Sequence, residues 1–181
     1  MAAFSGPCDT KGTMAILALH IFHILAFQPL EMIDWIHHFV MVIVMLPLAW
    51  LMRPATLLGH GAFWASGLPG GIDYAMLVMA KRGWLKRITE KRVMAHVSLW
   101  LRAPGCLYHA LLTWIGWLRW ASIDPLHPSN PNTSLLPDWM CFPATFVVMI
   151  TFFWNGPFFL RRVIESNLVA EIAERAATKK D

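Results

Sequence analysis

Charge is scarce in this sequence. Only 14% of its 181 residues are Asp, Glu, Lys or Arg, whereas a soluble domain carries about 25%. That deficit excludes an ordinary water-facing surface. Cysteine is equally sparse. Cys8, Cys106 and Cys141 make an odd number with no CxxC pair, so neither a disulfide framework nor a metal site is expected. Tyrosine occurs twice against ten Trp and eleven Phe. No stripe of Lys and Arg alternates with polar readers, which argues against nucleic acid as a partner. Residues 1–11 lack a basic stretch ahead of the first apolar run. They do not read as a cleaved signal peptide, and the first helix can serve as an uncleaved anchor.

What the chain does have is apolar length. A helix needs about 20 residues to cross a hydrocarbon core of about 30 Å. Five runs approach that length, at about residues 13–28, 33–52, 57–80, 93–120 and 139–160. The expected fold class is therefore all-α, a polytopic transmembrane bundle of about five spans over residues 1–160. A charged helical tail follows over 161–181. Gly67-Leu68-Pro69-Gly70-Gly71 is expected to break the third helix, either to shape a cavity or to allow close packing. Pro104-Gly105 is expected to kink the fourth, and Asn155-Gly156-Pro157 lies near the end of the fifth.

Charge placement orients this bundle. Residues 81–92 hold six Lys or Arg and one Glu, and Arg161, Arg162, Arg175, Lys179 and Lys180 follow the fifth run. With five spans both blocks fall on one side, which the positive-inside rule makes cytosolic. The Pro-rich segment 122–138 then faces the lumen or exterior, together with the sequon Asn132-Thr133-Ser134. The basic block also suits contact with anionic lipid.

Ionisable residues inside such helices cost about 2.5–3.5 kcal/mol each for Asp, Lys or Arg on insertion scales. They either face a shared wet cavity or sit solvated at headgroup depth. His20 and His23 share a helix face. Asp34 lies three residues before His37 and four before His38, within reach of either ring. A carboxylate there would fix an imidazole tautomer and make the pair a candidate general base. The catalytic candidates are therefore His37, His38 and Asp34. His60, Asp73 and Arg102 join His20 and His23 as candidate cavity-lining residues, with Asp73 or Asp34 the expected partner of Arg102. His96 and His109 read as packing histidines.

The run Ile33-Asp34-Trp35-Ile36-His37-His38-Phe39-Val40 resembles the TLC domain family of multi-pass membrane proteins. Members carry a His-His pair in a membrane helix with an acidic residue shortly before it. The resemblance implies a lipid role, binding, sensing or synthesis, in the endoplasmic reticulum or another organelle membrane. In the ceramide synthase branch it implies acyl transfer from acyl-CoA, with His37 or His38 as base. The further His-Asp cluster of that branch has no counterpart here. Elongase-like and iron-hydroxylase-like readings lack their full sets of histidines. The partners implied are membrane lipids, and no resident cofactor is expected. The alternative is an accessory subunit of a larger membrane complex, holding haem or chlorophyll through membrane histidines such as His20 or His23 with His109.

Overall fold

The computed structural model describes residues 10–26, 29–53, 57–121 and 134–179. Cys8, Asn132 and Thr133 of the sequon, Lys180 and most of the Pro-rich segment lie outside the described residues. All regular structure among the described residues is helical. Five helices follow one another. Helix α1 is Lys11–Ala26, and α2 is Met32–Met52. Helix α3 runs through Leu57–Ala62, Phe63–Gly67 and Leu68–Lys81. Helix α4 runs through Arg87–Val97, Ser98–Arg102 and Ala103–Ala121, and α5 is Asp138–Thr178. Arg53 closes α2 in the left-handed region at φ 49°, consistent with Pro54, which disfavours helical geometry before it.

The expected break in α3 is absent. The helix passes through the Gly-Pro run by widening into a π-helical segment, Phe63–Gly67. The same device appears in α2 at Phe39–Met45 and in α4 at Ser98–Arg102. Each segment ends two residues before a proline: Pro47, Pro69 and Pro104. A proline ring clashes with the carbonyl four residues earlier and offers no N–H to it. Those carbonyls belong to Ile43, Ala65 and Trp100, all inside π segments. A wider turn moves the carbonyl aside and lets the helix continue. In α5, Asn155-Gly156-Pro157 does not end the helix either. It runs 41 residues with Pro143 and Pro157 inside, about 60 Å at about 1.5 Å per residue. The expected tail is therefore the continuation of α5 through Thr178.

Two helices, Met32–Met52 and Asp138–Thr178, are long and apolar enough to cross a membrane, and Lys11–Ala26 is apolar but shorter. Helices α3 and α4 carry the polar residues that dilute their apolarity, among them His60, Asp73, Arg102 and His109. Much large apolar surface faces outward, and several polar side chains are buried beside an apolar core of Met41, Met45, Ala65, Cys106, Ala110, Val148 and Phe152. Large apolar side chains point outward, with Trp100 70% exposed and Phe39 and Ile43 each 60% exposed, while His20, His38, Ser98, His109, Thr145 and Asn155 are buried. Exposed apolar surface on that scale marks an interaction surface.

Helices α4 and α5 make the closest pair. A Cβ on Gly156 would lie 2.9 Å from the Ala103 carbonyl oxygen, so only glycine permits that approach. Small residues Ala103, Cys106, Ala110 and Ala144 fill the seam, as in helix pairs whose backbones meet. The chain alternates direction. Arg162 of α5 pairs with Glu31 at the start of α2 at 3.3 Å, and Arg92 of α4 pairs with Glu171 and Glu174 of α5 at 3.2 and 3.1 Å. Both basic blocks consequently share one end of the bundle, as the five-helix alternation requires.

Candidate functional site

Antiparallel packing of α1 against α2 gathers four imidazoles. His20 and His23 stand one turn apart on α1, and His37 and His38 open α2. Ring centroids lie 5.8 Å apart for His20–His37, 5.4 Å for His20–His38, 5.1 Å for His23–His38 and 5.5 Å for His37–His38. The structure thus brings together the two pairs that the sequence singled out. It gives the orienting role to a different group. His20 Nδ1–H donates to the Ile16 carbonyl at 2.8 Å. A carbonyl only accepts, so His20 is fixed with its Nε2 lone pair available. Asp34, half-buried, makes no hydrogen bond to His37 or His38 among the described residues. The expected Asp34–His relay is therefore not formed.

His23 Nδ1 is hydrogen-bonded to the Tyr74 hydroxyl of α3 at 2.9 Å. The His37 ring meets the edge of Phe159 of α5, with centroids 5.0 Å apart. The other side of this neighbourhood belongs to Arg102, whose guanidinium carbon sits 4.5 Å from the same Phe159 ring centroid. Arg102 reaches no carboxylate within 4.0 Å among the described residues. Neither Asp73 nor Asp34 ion-pairs with it, although Asp73 acts on it electrostatically from longer range; its contact is an aromatic face. Two shielded nitrogens in this region, His38 Nδ1 and Arg102 Nε, have no hydrogen-bond partner.

His60 is not part of this cluster. It faces α4 and forms a second one, in which every proton can be placed. Trp64 Nε1–H donates to His60 Nε2 at 3.0 Å. That nitrogen is therefore the acceptor, so neutral His60 carries its proton on Nδ1. His60 Nδ1 lies 3.1 Å from His109 Nδ1 and donates to it. His109 then holds its proton on Nε2, facing Thr113 Oγ1 at 3.4 Å. The Thr113 hydroxyl donates back to the His109 carbonyl at 2.9 Å. The chain is closed, with one donor for each acceptor. Gly61 makes it possible, because a Cβ there would lie 2.6 Å from His109 Nε2.

An apolar groove lies further along the same two helices. It holds about 200 Å³ between α1 and α2, lined chiefly by Met14, Leu17, Val42, Leu46 and Trp50. Leu17 is one turn from His20 on α1, and Val42 is one turn from His38 on α2. The groove therefore opens along the same helix faces as the imidazoles. The Thr13 hydroxyl, also in its wall, is shielded and has no hydrogen-bond partner.

No group of three or more His, Cys, Asp or Glu among the described residues is placed to share a metal ion. The sequence offered His109 with His20 or His23 as a haem pair. His109 has both nitrogens engaged with His60 and Thr113. The groove lies below the range of about 300–1,000 Å³ typical of small-molecule pockets, so it suits a narrow chain better than a tetrapyrrole. Tyr74, Trp64, Thr113 and Phe159 entered the two sites without being singled out from sequence. Trp64 and Thr113 were findable, each lying four residues after the histidine it serves. Tyr74 and Phe159 come from other helices and carry no local signal. Comparison with protein-family models, with curated proteins and with solved structures finds no match.

Proposed function

We propose that this chain is a multi-pass membrane protein that binds a single-chain lipid amphiphile between α1 and α2. The lipid places its polar head at His20, His37 and His38 and its acyl chain in the adjoining groove. The observation that carries this reading is the junction itself. Polar atoms without partners stand one helical turn from an apolar slot, so one site offers what the two ends of an amphiphile require. Outward-facing Trp and Phe on all sides favour a bilayer around the bundle. The shared basic end favours a cytosolic face carrying the α3–α4 turn and the end of α5. The lipid role, and the endoplasmic reticulum or a related organelle membrane, are what the TLC resemblance of the Asp34-to-His38 run also implies.

One observation favours a second, catalytic reading. His20 has a fixed tautomer with Nε2 able to accept a proton, which suits a general base in acyl transfer from acyl-CoA to a lipid amine or hydroxyl. In that reading His20 takes the role that the sequence assigned to His37 or His38.

Native mass spectrometry of the full chain, released from membranes in mild detergent, tests the binding reading. Acyl-lipid adducts are expected on the wild type. Leu17→Trp, which fills the groove, is expected to remove most of them while leaving the protein folded. Equal adduct occupancy in both proteins would sink the proposal. The catalytic version requires acyl transfer that His20→Leu abolishes.

A further inference from the structure

The lipid-binding reading leaves the nature of the head group open, and Arg102 narrows it. This guanidinium lies in the helical bundle beside the imidazole cluster. Its Nε is shielded from solvent and has no hydrogen-bond partner. No Asp or Glu among the described residues ion-pairs with it, although Asp73 and Asp34 belong to neighbouring helices. Its contact is the face of Phe159 at 4.5 Å. The same ring has His37 at 5.0 Å, so guanidinium and imidazole share one aromatic neighbour. Asp73 acts on Arg102 electrostatically but from beyond ion-pair distance, and a buried cation whose N–H donors reach no acceptor is expensive; inside a bilayer such groups mark functional sites. An aromatic face attracts the charge but leaves the guanidinium's hydrogen-bonding edge unused. That edge is a planar fork of N–H donors matched to two oxygens of a carboxylate or a phosphate.

We propose that Arg102 reads an anionic head group, a carboxylate or phosphate, on the amphiphile that occupies the α1–α2 groove. The proposal rests on the lipid-binding reading above. His37, which makes no hydrogen bond among the described residues, stands beside the same ring to add a donor. His20 Nε2 accepts a proton donor from the remainder of the head. The ligand class is thus a single-chain lipid acid, with the anion toward α4 and α5 and the chain along α1 and α2.

The test uses the full chain in nanodiscs and three probes with the same sixteen-carbon chain: palmitate, palmitoyl lysophosphatidate and uncharged monopalmitoylglycerol. Displacement of a radiolabelled probe reads the affinities. At least one anionic probe is expected to bind about tenfold or more tightly than the monoglyceride, a difference of about 1.4 kcal/mol. The two anionic arms separate carboxylate from phosphate recognition. Arg102→Gln is expected to abolish that preference and leave monopalmitoylglycerol binding unchanged, while Arg102→Lys keeps part of it. Equal binding of all three probes by the wild type overturns the proposal, and so does a uniform loss for all three in Arg102→Gln. If Arg102→Gln fails to fold, the wild-type ratio and Arg102→Lys decide. Binding of the monoglyceride without anion preference defeats this inference alone. Binding of no probe defeats the lipid-binding reading itself.

Discussion

Two groups of histidines occupy this bundle, and they differ in how their hydrogen bonds end. His60 and His109 sit in a closed chain. Trp64 supplies a donor at one end, the His109 carbonyl accepts at the other, and each ring nitrogen between has one partner. The α1–α2 group is open. His20 is anchored by Ile16 and His23 meets Tyr74, but His38 Nδ1 and Arg102 Nε are shielded without partners. Buried polar groups are paired in nearly all native structures, so an unpaired set calls for an explanation. Burial is similar in the two groups, with His20 and His38 each 6% and His109 4% exposed. Satisfaction, rather than burial, separates the two groups of histidines.

The same substitution in each group is the sharpest way to break this comparison. His109→Leu removes the acceptor of the His60 Nδ1–H and strands it in the interior. It is expected to destabilise the protein by about 2–4 kcal/mol, combining lost packing with an unsatisfied donor. His38→Leu replaces a ring that already lacks one partner. It is expected to be neutral or stabilising by up to about 1 kcal/mol. Thermal unfolding of the full chain in one detergent compares them. Equal losses would end the distinction between closed and open clusters.

Glycines on α3 test the geometry behind the closed chain. Gly61→Ala drives a methyl to within 2.6 Å of His109 Nε2 and 2.9 Å of the Phe152 ring. Overpacking of this kind costs about 1–3 kcal/mol. Gly59, two residues earlier, has nothing within 4 Å of its added Cβ, so Gly59→Ala is expected to stabilise by up to about 1 kcal/mol. The same melting curves check both. A matching response at the two positions would show that His109 does not need the gap at Gly61.

Much of the fold was legible because apolar run length directly reflects helix length in this chain. The starts of α2 and α3 and the existence of all five helices follow from it. The proline and glycine punctuation misled for a physical reason. The run around Pro69 was accommodated by a π turn instead of a break, as Pro47 and Pro104 also are, and the adjustment occurs upstream of each proline, among residues with no special composition. The pairing of His20 and His23 with His37 and His38 was legible from helical spacing and a short connection. The pairing of His60 with His109 was not. Forty-nine residues separate them, and only the packing register of α3 on α4 sets their depths. Asp34 illustrates the limit of spacing rules. An i, i+3 interval permits contact without requiring it, and here the Ile16 carbonyl, not Asp34, orients an imidazole of the first cluster.

A smaller effect is expected for His20. Its Nε2 is the acceptor that the proposed site offers to a head group. His20→Phe keeps the ring and its packing but removes both nitrogens. Affinity for the acyl lipid identified on the wild type is expected to fall about fivefold to tenfold, roughly 1–1.4 kcal/mol for one hydrogen bond, with the melting temperature shifted little. The radiolabel displacement assay reads it. Unchanged affinity would move the head group away from His20 and toward His37 and Arg102.

The end of α5 supplies the mildest contrast, because its charges are paired yet exposed. Arg92 donates to Glu171 at 3.2 Å and to Glu174 at 3.1 Å. The hydrogen bond from Arg92 holds the Glu171 carboxyl below its ordinary range. A depressed carboxyl stabilises the folded arrangement fully above its unfolded pKa, about 4.3. The contribution is lost as pH falls through the lower folded value. Screening by water keeps this pair weak, so local release of the helix end is expected without global unfolding. A nitroxide label at Ala173, an exposed position on the last turns of α5, reads the release as spectral sharpening below about pH 4.3. Arg92→Gln is expected to show the mobile spectrum already at neutral pH and to lose the acid step. A label that stays immobile in that variant would mean that packing of α4 on α5, and not the ion pair, holds this end in place.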